Sequence, residues 1–154
     1  MPSKIEILEE LGLTIPVPAK PLAAYVPVQT IASIAYTSGQ LPVKDGQILY
    51  SGKVGKDVSV GEAKIAAQLA ALNALAAVTL VSGSIENITR IIKLTVFVNS
   101  ADDFTDQPEV ANGASELMIT LFGEDGKHAR SAVGVAQLPR NASVEIELIA
   151  EYIL

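Results

Sequence analysis

The feature that most constrains this chain is an alanine-rich stretch that opens at Ser59-Val60-Gly61-Glu62 and stops near Gly83. The opening has capping-box spacing, in which a serine and the glutamate three residues on satisfy each other's backbone N–H groups. Gly83 suits the left-handed conformation that ends a helix. Between these signals, Ile65, Leu69, Leu72, Ala76 and Leu80 form one stripe at helical spacing. Ala67, Ala70, Ala71, Ala74 and Val78 form a second face of small residues. A helix that is apolar around most of its circumference must be covered on two sides. Its most apolar run, Leu69 to Val81, is interrupted by Asn73 and Thr79 and falls short of the ~20 residues a membrane span needs.

The rest of the chain supplies strands and a second helix. Ile31 to Ser38 is β-compatible, and Asp45-Gly46 within Leu41 to Tyr50 is a hairpin turn signal. Ile88 to Val98 predicts a strand in which Ile92, Leu94, Val96 and Val98 alternate with Lys93, Thr95 and Phe97. Pro108 suits the first turn of a second helix carrying Val110, Leu117, Met118 and Leu121, with Gly123 beyond its end. Ser131 to Leu138 and Ser143 to Ile153 predict two last strands joined by Pro139-Arg140-Asn141-Ala142. The order β-β-α-β-α-β-β implies an α+β sandwich in a single domain over residues 1–154. Residues 1–27 form an arm. Ile5, Leu8 and Leu11 predict a short helix stopping at Gly12, and Pro16, Pro18, Pro21 and Pro27 impose an extended path that buries Ile15 or Val17.

Composition removes several function classes. The chain of 154 residues has no Cys and a single His, so neither a thiolate nor a multi-histidine metal site is expected. A formal charge of −6 argues against a nucleic-acid partner, which needs a basic stripe. Hydrophobic residues make up 49%, enough for a core without staples. The N-terminus has no apolar region behind a basic start, so a cytoplasmic protein with no membrane association is expected. The apolar area of the second helix face and of the strand face bearing Lys93, Thr95 and Phe97 exceeds what one sandwich covers, which predicts burial against a further chain.

Chemistry concentrates near the C-terminus. His128, beside Gly126 and Lys127, reads as a solvated loop imidazole rather than a general base. Arg130 stands just before a run of small and aliphatic residues. It is either a salt-bridged or exposed strand end, or a fork that grips a carboxylate bidentately. Glu145, Glu147 and Glu151 alternate as one solvated strand face.

Tyr25-Val26-Pro27, Tyr36-Thr37-Ser38-Gly39-Gln40-Leu41-Pro42, Lys93-Leu94-Thr95-Val96-Phe97-Val98, Ala129-Arg130-Ser131-Ala132-Val133, Leu138-Pro139 and Val144-Glu145-Ile146-Glu147 occur in one colinear order. This set resembles the RidA/YjgF family, also called endoribonuclease L-PSP, over residues 22 to 152. The longer N-terminus and Gly126-Lys127-His128-Ala129-Arg130 resemble a longer branch. The resemblance implies a chorismate-mutase-like fold, a mixed sheet with two helices on one face. Three chains would close into a trimeric barrel with a cleft at each subunit junction. It implies cofactor-free hydrolysis of enamine/imine intermediates, such as 2-aminoacrylate, to 2-oxo acids and ammonia. The family's carboxylate-gripping arginine matches Arg130, and its water-positioning acid matches Glu145. Its other ligand-binding positions match Tyr25, Ser38, Gly39 and Asn112. Two departures stand beside the arginine, Ala132 for a common Cys and Gly134 for a common Glu, and these are expected to enlarge or depolarise the cleft. A non-catalytic binder of small carboxylates uses the same cleft; an endoribonuclease is disfavoured by the acidic charge.

Overall fold

The computed structural model describes residues 1–18, 20 and 23–154. From the N-terminus the chain forms α1 (Lys4–Glu10), β1 (Val28–Ile31), β2 (Ile34–Thr37), β3 (Val43–Lys44), β4 (Gln47–Ile48), α2 (Val60–Ser82), β5 (Ile88–Asn99), α3 (Gln107–Phe122), β6 (Ala129–Val135) and β7 (Val144–Tyr152). Five strands make one mixed sheet in the order β1-β2-β7-β5-β6. Only the β5–β6 pair is parallel, joined by the α3 crossover; the others are antiparallel. β3 and β4 form a separate small hairpin whose Asp45-Gly46 turn has positive φ at both residues, as an Asp-Gly two-residue turn requires. The α+β reading, with a mixed sheet and two long helices on one face, holds.

The local signals for α2 hold as well. Ser59 Oγ accepts from Glu62 N–H at 3.1 Å, Glu62 Oε1 accepts from Ser59 N–H at 3.0 Å, and Gly83 is left-handed. The expectation that α2 is covered on two sides holds only for its small-residue face. Leu72 and Ala76 are buried, but Ile65 and Leu80 are 51% and 55% exposed, and the alanine face is the one fully inside. The reason is proximity. A Cβ on Gly113 of α3 would run into the Lys64 carbonyl, so the two helices cross at backbone contact. Only small side chains fit such a crossing, and Leu75 and Val78 fill what remains above the sheet. α2 is also long and apolar enough to cross a membrane by length and composition, where the shorter run read from sequence was not; 61% of its most apolar window is buried inside the fold.

Strand boundaries shift where tertiary pairing decides them. The single segment Ile31 to Ser38 is instead the second half of a hairpin, with a turn at Ala32 whose φ is 50°. In β5 a register shift between Ile91 and Lys93 breaks the alternation, so Ile91 is buried in place of Ile92. β6 starts two residues before the predicted strand, which puts Arg130 inside it rather than ahead of it. In the arm, α1 is capped reciprocally by Ser3 and Glu6 and buries Leu8. Ile15 packs against the core while Val17 is 92% exposed. Ala19, Pro21 and Leu22, within the expected extended path, lie outside the described residues.

The sheet therefore has two unlike faces. Leu94, Val96 and Val98 of β5 and Val144, Ile146, Leu148 and Ala150 of β7 are buried beneath α2 and α3. The alternate residues, among them Tyr36, Phe97, Val133, Glu145, Glu147 and Ile149, lie on the face without helices.

Candidate functional site

Arg130 sits on the edge strand β6 in register with Leu94, so its side chain is on the helix side, against α3. Its Nη1 donates to Asn112 Oδ1 at 2.8 Å and to Ser115 Oγ at 3.2 Å. Asn112 Nδ2 in turn donates to Glu109 Oε2 at 3.2 Å, and Glu109 Oε1 accepts from Lys64 Nζ at 2.8 Å. The Lys64 partner holds the Glu109 carboxyl below its ordinary value, and Glu109 raises Lys64. Arg130 itself has no carboxylate within ion-pair distance among the described residues. Its partners are neutral, so the salt-bridge alternative is not realised and an exposed guanidinium keeps its full charge available.

His128 departs from expectation. It is half-buried and engaged at both ring nitrogens, with Nδ1 2.6 Å from Gly126 O and Nε2 2.9 Å from Ser115 Oγ. Glu109, Asn112 and Ser115 follow one another at spacing three on α3, a polar stripe on an otherwise apolar helix face. That spacing was the available signal for Ser115 and Glu109, which sequence reasoning missed.

A second group lies on the other face of the sheet, on its middle strand. Glu145 on β7 stands opposite Phe97, hence on the face without helices. Burial, and then the neighbouring Glu147, push its carboxyl above the ordinary value. The carboxylate rests on the backbone of Gly39. A Cβ there would run into Glu145 Oε1, so a side chain at this position would displace the carboxylate from where it now rests. The loop is fixed to β7 by the exchange of N–H donations between Gln40 and Ile146, at 2.7 and 2.9 Å. Ser38 does not face this carboxylate through a hydrogen bond; its Oγ donates to Val26 O at 2.6 Å and its N–H to Pro27 O at 2.8 Å. It thereby anchors the segment carrying Tyr25. Tyr25 and Gly39 line a cavity of about 710 Å³ between the N-terminal arm, the β3–β4 hairpin and Leu69, Leu72 and Asn73 of α2.

The predicted site residues thus fall into two half-sites. Arg130 and Asn112 are bonded to each other, Glu145 lies against Gly39, and Gly39 and Tyr25 line one cavity that Glu145 does not line. Arg130 and Glu145, however, project from opposite faces of the sheet, so one chain does not bring them together. The expectation of an enlarged cleft is corrected at Gly134. A Cβ there would stand 2.8 Å from Gln107 Nε2 and 3.0 Å from Ser100 Oγ, so polar side chains of the β5–α3 turn fill the space. Ala132 is half-buried against the core. Among the described residues, no three His, Cys, Asp or Glu side chains gather as a metal site.

Comparison with known proteins agrees with this architecture. Residues 6–152 match the family described as "YjgF/chorismate mutase-like, putative endoribonuclease". Protein TCP17 of Trypanosoma cruzi is 41% identical over 145 residues, 94% of this chain and 91% of that protein. The 2-iminobutanoate/2-iminopropanoate deaminase of Salmonella typhimurium is 33% identical, over 84% of this chain and 88% of its own length. The structure of Atu1372 from Agrobacterium tumefaciens, a protein of unknown function, superposes with a TM-score of 0.90 at 48% identity, covering 97% of this chain and 92% of that one. TdcF of Escherichia coli with bound serine gives 0.60 at 29% identity, covering 89% and 94%.

Proposed function

The chain belongs to the YjgF/chorismate-mutase-like family, and from that premise we propose that it hydrolyses reactive enamine/imine acids of the 2-aminoacrylate type to 2-oxo acids and ammonia. The observation that carries the reading is the exposed Arg130 guanidinium, held by neutral acceptors and left without a carboxylate of its own. A relative named as a 2-iminobutanoate/2-iminopropanoate deaminase and a related structure holding serine, itself an amino acid with a carboxylate, support the substrate class.

The two half-sites on opposite faces give the assembly its role. In a homotrimer, Arg130 and Asn112 of one chain meet Glu145, Gly39, Ser38 and Tyr25 of the next at the subunit junction. Arg130 binds the substrate carboxylate and orients the imine carbon. Glu145, whose carboxyl is pushed upward by burial, takes a proton from water as the oxygen attacks that carbon. The carbon–oxygen bond forms as the C=N pair moves to nitrogen. That proton is delivered to the nitrogen to give the neutral carbinolamine; the freed carboxylate then takes the hydroxyl proton and passes it to the amino nitrogen, so that ammonia leaves as the C–N bond breaks and the carbonyl forms. No metal or cofactor is required by this sequence of steps.

The test titrates 2-oxobutyrate into wild type and Arg130→Ala and follows imine decay in the presence of semicarbazide. Charge-assisted hydrogen bonds are worth roughly 1.5–3 kcal/mol each, so Arg130→Ala should bind about 10–100-fold more weakly. Arg130→Lys should not restore binding, because an ammonium lacks the planar fork. Unchanged imine decay with intact 2-oxobutyrate binding would assign the second reading, a carboxylate binder without turnover. Unchanged affinity in Arg130→Ala would remove the carboxylate cleft altogether.

A further inference from the structure

The hydrogen bonds around Arg130 run in one direction and end on the backbone. Gly126 O can only accept, so His128 Nδ1 carries the ring hydrogen in the neutral imidazole and Nε2 presents a lone pair. Ser115 O–H then donates to Nε2, and the Ser115 oxygen accepts from Arg130 Nη1. Each group donates to the next, from Arg130 to Ser115 to His128 to Gly126, an arrangement in which the bonds polarise one another. The terminus is rigid. Gly126 is buried, and a Cβ on it would run into the Met118 carbonyl of α3, so its backbone is seated directly on the helix.

Both hydrogens of Nη1 are consumed, one by Asn112 and one by Ser115. Of the five guanidinium donors, those on Nε and Nη2 remain, and together they form the side-on fork. We infer that Ser115 and His128 are positioning residues for the carboxylate of the substrate: they fix Nη1 so that the Nε–Nη2 edge of Arg130 is the one that meets the ligand. This rests on the reading of Arg130 as the carboxylate anchor, and it adds which edge is used and what holds it there. Neither residue touches the ligand. Without the brace, Asn112 alone leaves the guanidinium free to swing about a single hydrogen bond, and the fork is no longer preset.

The test uses the full chain and three variants. Ser115→Ala removes the link. His128→Asn reaches only the position of Nδ1, whereas His128→Gln carries an amide oxygen out towards the position of Nε2 and so can accept from Ser115. Nitrogen-15 NMR of the Arg130 guanidinium in ligand-free protein reads the brace directly. Hindered rotation is expected in wild type and His128→Gln, and averaged Nη signals in Ser115→Ala and His128→Asn. Titration with 2-oxobutyrate should then give a Kd raised about 5–20-fold in Ser115→Ala and His128→Asn and within about twofold of wild type in His128→Gln. In turnover the same variants should raise KM and leave kcat within about twofold, since the water-activating half-site is untouched. Guanidinium signals that are identical in wild type and Ser115→Ala overturn the brace. Signals that change while ligand affinity does not, in these variants and in Arg130→Ala alike, leave the brace standing and remove the carboxylate reading. If any variant loses its helical far-UV signal, the remaining one of the Ser115→Ala and His128→Asn pair carries the same comparison against His128→Gln.

Discussion

The two faces of the central sheet solve different problems with the same strands. On the helix face, burial is finished within one chain: Leu94, Val96, Val98, Ile146 and Leu148 are covered, and α2 contributes mostly alanine. On the other face, Phe97 and Ile149 are only half-buried and Tyr36 and Val133 are each 43% exposed, interspersed with Lys93, Glu145 and Glu147. Alternation along a strand forces every residue to choose a face. The comparison teaches that one face specifies the fold, while the other leaves apolar area uncovered around one half-site, where the proposed trimer would place its junction. The mixture of charge and apolar surface on that second face matches an interface that also performs chemistry.

The largest expected effect breaks the second face. Phe97 lies between Val133 and Glu145 in neighbouring strands, so Phe97→Asp sets a carboxylate beside an existing one. Sedimentation velocity should show wild type as a trimer and the variant as single chains, with far-UV dichroism preserved. Assemblies of this kind commonly bury 2,000 Å² or more, so a wild type that runs as single chains at micromolar concentration would erase the distinction between the faces. The next effect belongs to the first face. Leu75→Ala empties a fully buried position and should cost about 2–5 kcal/mol in urea unfolding, with the assembly intact until the chain unfolds. The smallest concerns Glu145. Its carboxyl is held above the ordinary value of 4.5 by burial and then by Glu147. The folded chain therefore keeps a proton that the unfolded chain has already released. Stability falls as pH rises from about the unfolded value through the raised folded one, then levels. Glu145→Gln should remove that slope and raise Tm at neutral pH, while turnover is lost.

What could be read from sequence was what neighbouring residues decide. The Ser59–Glu62 cap, the Asp45-Gly46 turn, Pro108 and Gly83 are local, and each falls where the spacing put it. The errors came from contacts between distant segments. The alanine face of α2 is inside because α3 crosses it at Gly113, and nothing within α2 records how close that neighbour comes. The start of β6 depends on its parallel pairing with β5. For the site, the resemblance supplied Arg130 and Asn112, and the structure adds their hydrogen bond. The same resemblance could not reveal that Arg130 and Glu145 face apart, because strand parity is fixed only once the register with β5 is known. His128 was misread for a related reason. Its partners, Ser115 and the Gly126 carbonyl, are gathered by the turn that follows α3.

The position of β7 has a consequence for how the chain comes off the ribosome. It is the last strand in sequence and the middle strand of the sheet, inserted between β2 and β5. Until it emerges, the β1–β2 hairpin and the β5–α3–β6 unit have no strand in common. The bond from Leu148 N–H to Thr37 Oγ1 joins residues separated by 111 positions. Closing such a contact late makes folding slow relative to a helical chain of the same length, and it leaves two sheet edges and the apolar flank of α2 uncovered during synthesis. Those edges and that flank stay exposed until the last strand pairs. The five-stranded sheet is complete only once this final strand has inserted between β2 and β5.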